Sequence, residues 1–177
     1  MQSYIARKLG YEAYNEAGAL ETVIVEDSQL LDMAQSKPVV ILADAGMGKT
    51  ELMKELAKPS HIKTKYLSAS DLVQKSVKRL SIQPDETLLI DAFDEIPSTK
   101  DSSGIDSVLN KLAELDYPKF ILTCRSIEWN NSNKNEIQSD YKDILTVNLT
   151  NLSREDAQHF LQSQGLFREN ISQLITQ

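Results

Sequence analysis

Residues 43–51 read Ala43-Asp44-Ala45-Gly46-Met47-Gly48-Lys49-Thr50-Glu51, two spaced glycines followed at once by a lysine and a hydroxyl residue. These residue types at this spacing can hold a phosphate chain. Gly46 and Gly48 carry no side chain, so successive backbone N–H groups can curl around phosphate oxygens. A helix opening near Lys49 points the positive end of its dipole at the same anion. Lys49 is placed to reach the β- and γ-phosphates, and the Thr50 hydroxyl to complete a Mg²⁺ shell. The pattern is G-x-x-x-x-G-K-[ST], except that Ala43 stands at its first glycine. That exchange is harmless if Ala43 leaves a strand with negative φ, and harmful if the position needs φ > 0. The candidate nucleotide-binding residues are Ala45, Gly46, Met47, Gly48, Lys49, Thr50 and Glu51.

A second stretch, Leu88-Leu89-Ile90-Asp91-Ala92-Phe93-Asp94-Glu95, is an apolar run ended by an acid, with two more acids close behind. Asp91 at the strand tip can hold Mg²⁺ directly or through water, a carboxylate being the hard oxygen ligand the ion favours. A carboxylate near the γ-phosphate can orient and polarise the attacking water. Asp94 and Glu95 both qualify, and spacing does not rank them. Phe120-Ile121-Leu122-Thr123-Cys124-Arg125-Ser126 places Arg125 at the end of another strand. There a guanidinium can read the γ-phosphate through charge-assisted hydrogen bonds, or simply extend to solvent. Asp94, Glu95 and Arg125 are therefore the catalytic candidates, and Thr50 and Asp91 the metal ligands. Cys124 reads as a small core residue, and with only His61 and His159 to join it there is no zinc site. Trp129 is either an exposed anchor or packs down.

The elements that must position these residues alternate strand and helix. Val39–Leu42 leads into the glycine loop, and Leu52, Met53 and Leu56 continue an amphipathic helix until Pro59. Strands are expected at 63–68, 87–91, 120–124 and 145–149, with a shorter β-prone run at 22–26. Ile105, Val108, Leu109, Leu112 and Leu115 fall at helical spacing. Ser70 or Asp71 can cap a helix through Val77, Asp27 or Ser28 a brief one through Ala34, and Ser153 one that stops near Gly165. Residues 1–20 read as helix or irregular lead-in, Ser98–Ser103 as a polar loop, 126–143 as a polar surface excursion with one helical turn, and 170–177 as a helix cut short. The alternation implies crossovers and a mainly parallel sheet covered on both faces, with ligands at the carboxyl ends of its strands.

The 177 residues, 41% of them hydrophobic, can bury a single core. The net charge of −7 argues against nucleic acid as a partner. No apolar run reaches membrane-spanning length and no secretory leader is visible, so a cytoplasmic protein is expected.

Both motifs resemble those of NACHT-type NTPases in the STAND class of P-loop NTPases. Ala45–Thr50 is similar to that family's P-loop. Asp91, the tiny Ala92 and the paired Asp94-Glu95 are similar to its Walker B segment, and Phe120–Ser126 to its sensor-1 strand. Leu149–Ala157 resembles its passage into a helical subdomain, and Tyr4-Ile5-Ala6-Arg7, more faintly, its lead-in near the nucleotide base. The resemblance implies an α/β, three-layer α/β/α fold with a mainly parallel, ASCE-type sheet of about five strands. It implies ATP (GTP as the alternative) with Mg²⁺, slow hydrolysis, and a switch whose activation brings self-association in a full-length protein, with phage defence among the roles of bacterial relatives. The expected division is a lead-in at 1–37, a NACHT-like core at 38–150 and the truncated start of a helical subdomain at 151–177. The rival readings are a nucleotide-binding module without turnover and an AAA+-like remodelling or loader ATPase; the absence of arginine between Arg125 and Arg154 counts against the latter.

Overall fold

The computed structural model describes residues 4–96 and 104–163. Lys8–Tyr14 (β1) and Leu20–Glu26 (β2) form an antiparallel hairpin, registered from Lys8 opposite Glu26 to Tyr14 opposite Leu20. The turn between them is closed by Asn15, whose Oδ1 accepts the Ala17 and Ala19 N–H groups at 3.0 and 2.9 Å. The first of these strands replaces the helical or irregular lead-in expected for 1–20. Its Glu12 and Ala13 favour helix, but alternation places Leu9, Tyr11 and Ala13 on one face opposite Val25, Val23 and Glu21. Tertiary pairing overrides the local preference. A short helix, Leu30–Met33 (α1), follows. Asp27 does not cap it as expected: at 7% exposure its carboxylate instead accepts the Tyr4 hydroxyl and, at 2.7 Å, the Arg7 N–H.

Val39–Leu42 (β3) runs into the glycine loop and Lys49–Leu56 (α2). Thr64–Ser68 (β4) leads to Ala69–Gln74 (α3) and, after an extended Lys75, to Val77–Leu80 (α4). The cap of α3 is Ser68, whose Oγ accepts the Asp71 N–H at 3.0 Å, ahead of the expected Ser70 or Asp71. Ala69 is fully buried, so packing starts the helix earlier than capping preference alone suggests. Thr87–Asp91 (β5), Gly104–Glu114 (α5) and Phe120–Cys124 (β6) lie where the apolar spacing put them.

Between β6 and the last strand the structure has more order than one helical turn: Asn131–Tyr141 (α6) spans eleven residues. Asn130 caps it through Oδ1 to the Asn133 N–H at 3.0 Å, fully buried Ile137 fixes its inner face, and the Tyr141 ring meets Phe120 edge-on at 5.2 Å. Trp129 packs down, half-buried against the same core. Leu145–Leu149 (β7) and Arg154–Ser163 (α7) complete the described chain, with Ser153 Oγ accepting the Asp156 N–H at 3.0 Å at the helix start. The expected Ser98–Ser103 loop, the stop at Gly165 and the 170–177 helix fall on or reach into residues outside those described.

Among the described residues the strands form one seven-stranded sheet, ordered β2-β1-β7-β3-β6-β5-β4. The β7-β3-β6-β5-β4 part is parallel, and β1 joins it antiparallel along β7. The parallel part has the expected five strands, with β6 inserted between the loop-bearing β3 and the acid-bearing β5. The two further strands come from the N-terminal hairpin. Every residue of β3, β5 and β6 is buried, as in a sheet covered on both sides. Val40, Leu42, Leu88, Ile90 and Leu122 face α3, α5 and α6; Val39, Ile41, Leu89 and Ile121 face α1 and α2. The result is a three-layer α/β/α fold.

Candidate functional site

At the carboxyl end of β3 the chain turns through Gly46 at φ +80° and Gly48 at φ +88°, backbone states that disfavour any side chain. Ala43 is outside that region. It is 2% exposed, has negative φ, and its N–H donates to Cys124 O at 3.2 Å, continuing the β3–β6 ladder. The missing first glycine therefore imposes no backbone strain. Lys49 Nζ folds over the loop, donating to Ala43 O at 2.8 Å and Asp44 O at 3.1 Å. Thr50 and Glu51, in the first turn of α2, are exposed.

Asp91 ends β5 at 4% exposure. Its Oδ1 accepts the Thr123 hydroxyl at 2.5 Å and the Ala92 N–H at 3.0 Å, and its Oδ2 accepts the Tyr66 hydroxyl at 3.1 Å. Burial and the Asp91 carboxylate push the Tyr66 phenol up to about 12, so it stays a donor. A carboxylate and a threonine hydroxyl on one cavity are hard oxygen donors that fit Mg²⁺, and a carboxylate already accepting on both oxygens suits contact through a water. Ala92 sits in the left-handed region at φ 60°, a state costing about 1 kcal/mol for a residue with a Cβ. Beyond it, buried Phe93 anchors a single 3₁₀ turn, Phe93–Glu95.

That turn separates the two remaining acids. Asp94 is drawn inward, its side chain 5% exposed, and pairs with Arg125: Nε donates to Oδ2 at 2.7 Å and the Arg125 N–H to Oδ1 at 3.2 Å. Glu95 is exposed and has no side-chain partner among the described residues. Cys124, beside Arg125, is fully buried, and burial pushes its thiol up to about 12; it is an inert core group.

The candidates converge. Ala45, Gly46, Gly48, Lys49, Thr50, Glu51, Asp91, Asp94, Glu95 and Arg125 line one cavity of about 310 Å³ at the carboxyl ends of β3, β5 and β6. Met47 lies on the other side of the loop, in a hollow of about 610 Å³ with Tyr4, Ile5, Arg7 and Leu152. Ala45, Gly46, Gly48 and Glu51 border both. Among the residues built into this region, sequence reasoning missed Tyr66 and gave Thr123 no role. Thr123 carried a signal, being a polar residue inside an apolar strand. Tyr66 carried none, because only the parallel pairing of Ser68 with Asp91 brings β4 to the acid.

No helix among the described residues is long and apolar enough to cross a membrane. No protein-family model matches the chain, and no curated protein matches its sequence. Solved structures do. The fold is similar to the replication initiator DnaA bound to AMPPCP and single-stranded DNA, with a TM-score of 0.53 and 21% identity over 84% of this chain and 53% of that one. It is also similar to AMPPCP-bound DnaA from Aquifex aeolicus, with a TM-score of 0.50 and 20% identity over 82% and 54%. The chain thus spans about half the length of the structures it matches. The expectation that excludes nucleic acid has to be corrected: a protein of similar fold is bound to single-stranded DNA, and a net charge summed over the whole surface does not describe any one face of it. At this identity the likeness shows the fold, and that fold is P-loop NTPase-like.

Proposed function

We propose that this chain is an Mg²⁺-dependent ATP-binding domain, slowly hydrolytic, that serves as the nucleotide switch of a STAND-class, NACHT-type signalling protein in the cytoplasm, in bacteria a phage-defence protein. The observation that carries the catalytic part of this reading is the convergence of Lys49, Thr50, Asp91, Glu95 and Arg125 on one cavity beside the glycine loop. In this reading the N–H groups of Gly46, Gly48, Lys49 and Thr50, which have no acceptor among the described residues, hold the β-phosphate, and Lys49 leaves the Ala43 and Asp44 carbonyls for the β- and γ-phosphates. Thr50 and Asp91 hold the metal, Asp91 through water. Mg²⁺, when bound, neutralises charge on the phosphate oxygens. Glu95, exposed and without a side-chain partner among the described residues, orients the water, while Arg125 reads the γ-phosphate. The larger hollow, with Tyr4, Ile5, Met47 and Leu152, suits a base; adenine is preferred and guanine is the alternative. The NACHT assignment rests on the sequence motifs alone, as does self-association on activation.

The test is calorimetric titration of nucleotide-free protein with Mg-ATP beside Lys49→Ala. The variant is expected to lose about 2–3 kcal/mol of binding, some thirtyfold to more than a hundredfold in Kd, because it loses charge-assisted bonds. A folded wild type that does not bind at millimolar nucleotide would sink the proposal. The DnaA likeness favours a second reading, an AAA+-like ATPase that acts on DNA. Against it, α6 precedes β7 with Lys134 but no arginine to act in a neighbouring subunit. Nucleotide-dependent binding of single-stranded DNA, read by fluorescence anisotropy, would favour that second reading over a signalling switch.

A further inference from the structure

Arg7 stands just before β1, far in sequence from the glycine loop, yet its guanidinium bridges two distant carbonyls. Nη1 donates to Met47 O at 2.7 Å and Nη2 to Thr150 O, just past β7, at 2.8 Å. The arginine is itself held from behind. Its N–H donates to buried Asp27 at 2.7 Å, Asp27 N–H donates back to Arg7 O at 2.9 Å, and the Tyr4 hydroxyl binds the same carboxylate. The neighbouring Lys8 O accepts both the N–H and the hydroxyl of Thr150, at 3.0 and 2.7 Å.

The Met47–Gly48 peptide is planar, so its C=O and N–H point in opposite directions. A donor fastened to Met47 O from the larger hollow turns the Gly48 N–H away from that hollow, toward the smaller cavity with Lys49 and Asp91. The Gly48 N–H has no acceptor among the described residues. A Cβ on Gly48 would come within 3.1 Å of Arg7 Nη1, so a side chain there would push the guanidinium back by a few tenths of an ångström, on top of the strain of φ +88°. We propose that Arg7 is a positioning residue for phosphate binding: it sets the Met47–Gly48 peptide so that the empty loop already presents its N–H groups to a polyphosphate, and it ties that peptide to the end of β7. Arginine suits the task because its two terminal nitrogens reach two carbonyls at once, whereas a lysine amine is a single point. The proposal rests on the nucleotide-binding reading of the loop.

Arg7→Ala and Arg7→Lys test it, with thermal unfolding as the check on folding. In nucleotide-free protein, ¹⁵N relaxation is expected to show the Gly48 order parameter falling in Arg7→Ala while Leu42 and Leu89 stay as in wild type. Unchanged Gly48 order overturns the brace. In titrations, Arg7→Ala is expected to bind Mg-ATP and Mg-complexed inorganic triphosphate about tenfold more weakly, with a smaller loss for adenosine and with Arg7→Lys intermediate. Loss of adenosine affinity with triphosphate binding intact would make Arg7 a contact to the base and overturn the proposal, as would wild-type affinity for all three. If wild type binds no nucleotide, the nucleotide reading fails, and the Gly48 relaxation still decides the brace.

Discussion

Asp94 and Glu95 are adjacent acids of equivalent chemistry, and only their surroundings divide the work between them. Asp94 is held against Arg125, accepting from both its Nε and its backbone N–H, while Glu95 stays exposed with no side-chain partner among the described residues. A carboxylate so occupied is a poor water-orienting group. Glu95→Gln is therefore expected to lower ATP turnover by about 10²–10³-fold with Mg-ATP affinity kept, and Asp94→Asn to release Arg125 and change affinity as well. Steady-state hydrolysis alongside calorimetry reads both; a Glu95→Gln protein with wild-type turnover would return the role to Asp94. That these residue types gather in one cavity was legible because a glycine loop, a lysine, a hydroxyl and a strand-end acid each sit at a strand's carboxyl end, and the proposed phosphate chemistry permits few alternatives to them. The ranking of the two acids was not legible, since it depends on a left-handed Ala92 and a 3₁₀ turn that set Asp94 beside Arg125 and leave Glu95 exposed.

The elements that sequence reasoning recovered are those whose apolar residues repeat without interruption: β3, β5, β6 and the i, i+3, i+4 pattern of α5. Those it missed carry few apolar residues. In α6 a fully buried side chain, Ile137, joins Tyr141 one turn later in packing against the core, and nine of its eleven residues are polar. Such a helix rests on few contacts, so each one counts. Ile137→Ala is expected to destabilise the protein by about 2–4 kcal/mol, read by urea denaturation, and a loss under 1 kcal/mol would show that α6 contributes little to the fold. β1 was misread for the opposite reason: its alanine and glutamate favour helix, and pairing with β2 on one side and β7 on the other overrules them.

At the scale of the whole molecule, two apolar cores lie on opposite faces of the sheet, and Cys124 is sealed inside one of them. With its thiol pushed up to about 12 and no exposure, it reacts only when the chain opens. Labelling by a thiol reagent near pH 8 is therefore expected to report unfolding. If ATP binds only the folded state, Mg-ATP at about 100 times its Kd slows labelling by about a hundredfold. Fast labelling that nucleotide does not affect would mean that this face opens without loss of the site.

The strand order also sets a timetable for synthesis. The loop-bearing β3 has as its neighbours β6 and β7, which are made last among the described strands, while β4 and β5, made next, lie on the far side of β6. On the ribosome the glycine loop therefore emerges with no neighbouring strand, gains β6 only near residue 124, and has both neighbours only when residues near 149 have been translated. At ordinary elongation rates that is an interval of about 5–20 s. During it Val39–Leu42 is an apolar strand with at least one edge open to mispairing, and the brace from Arg7 has no β7 end to grip.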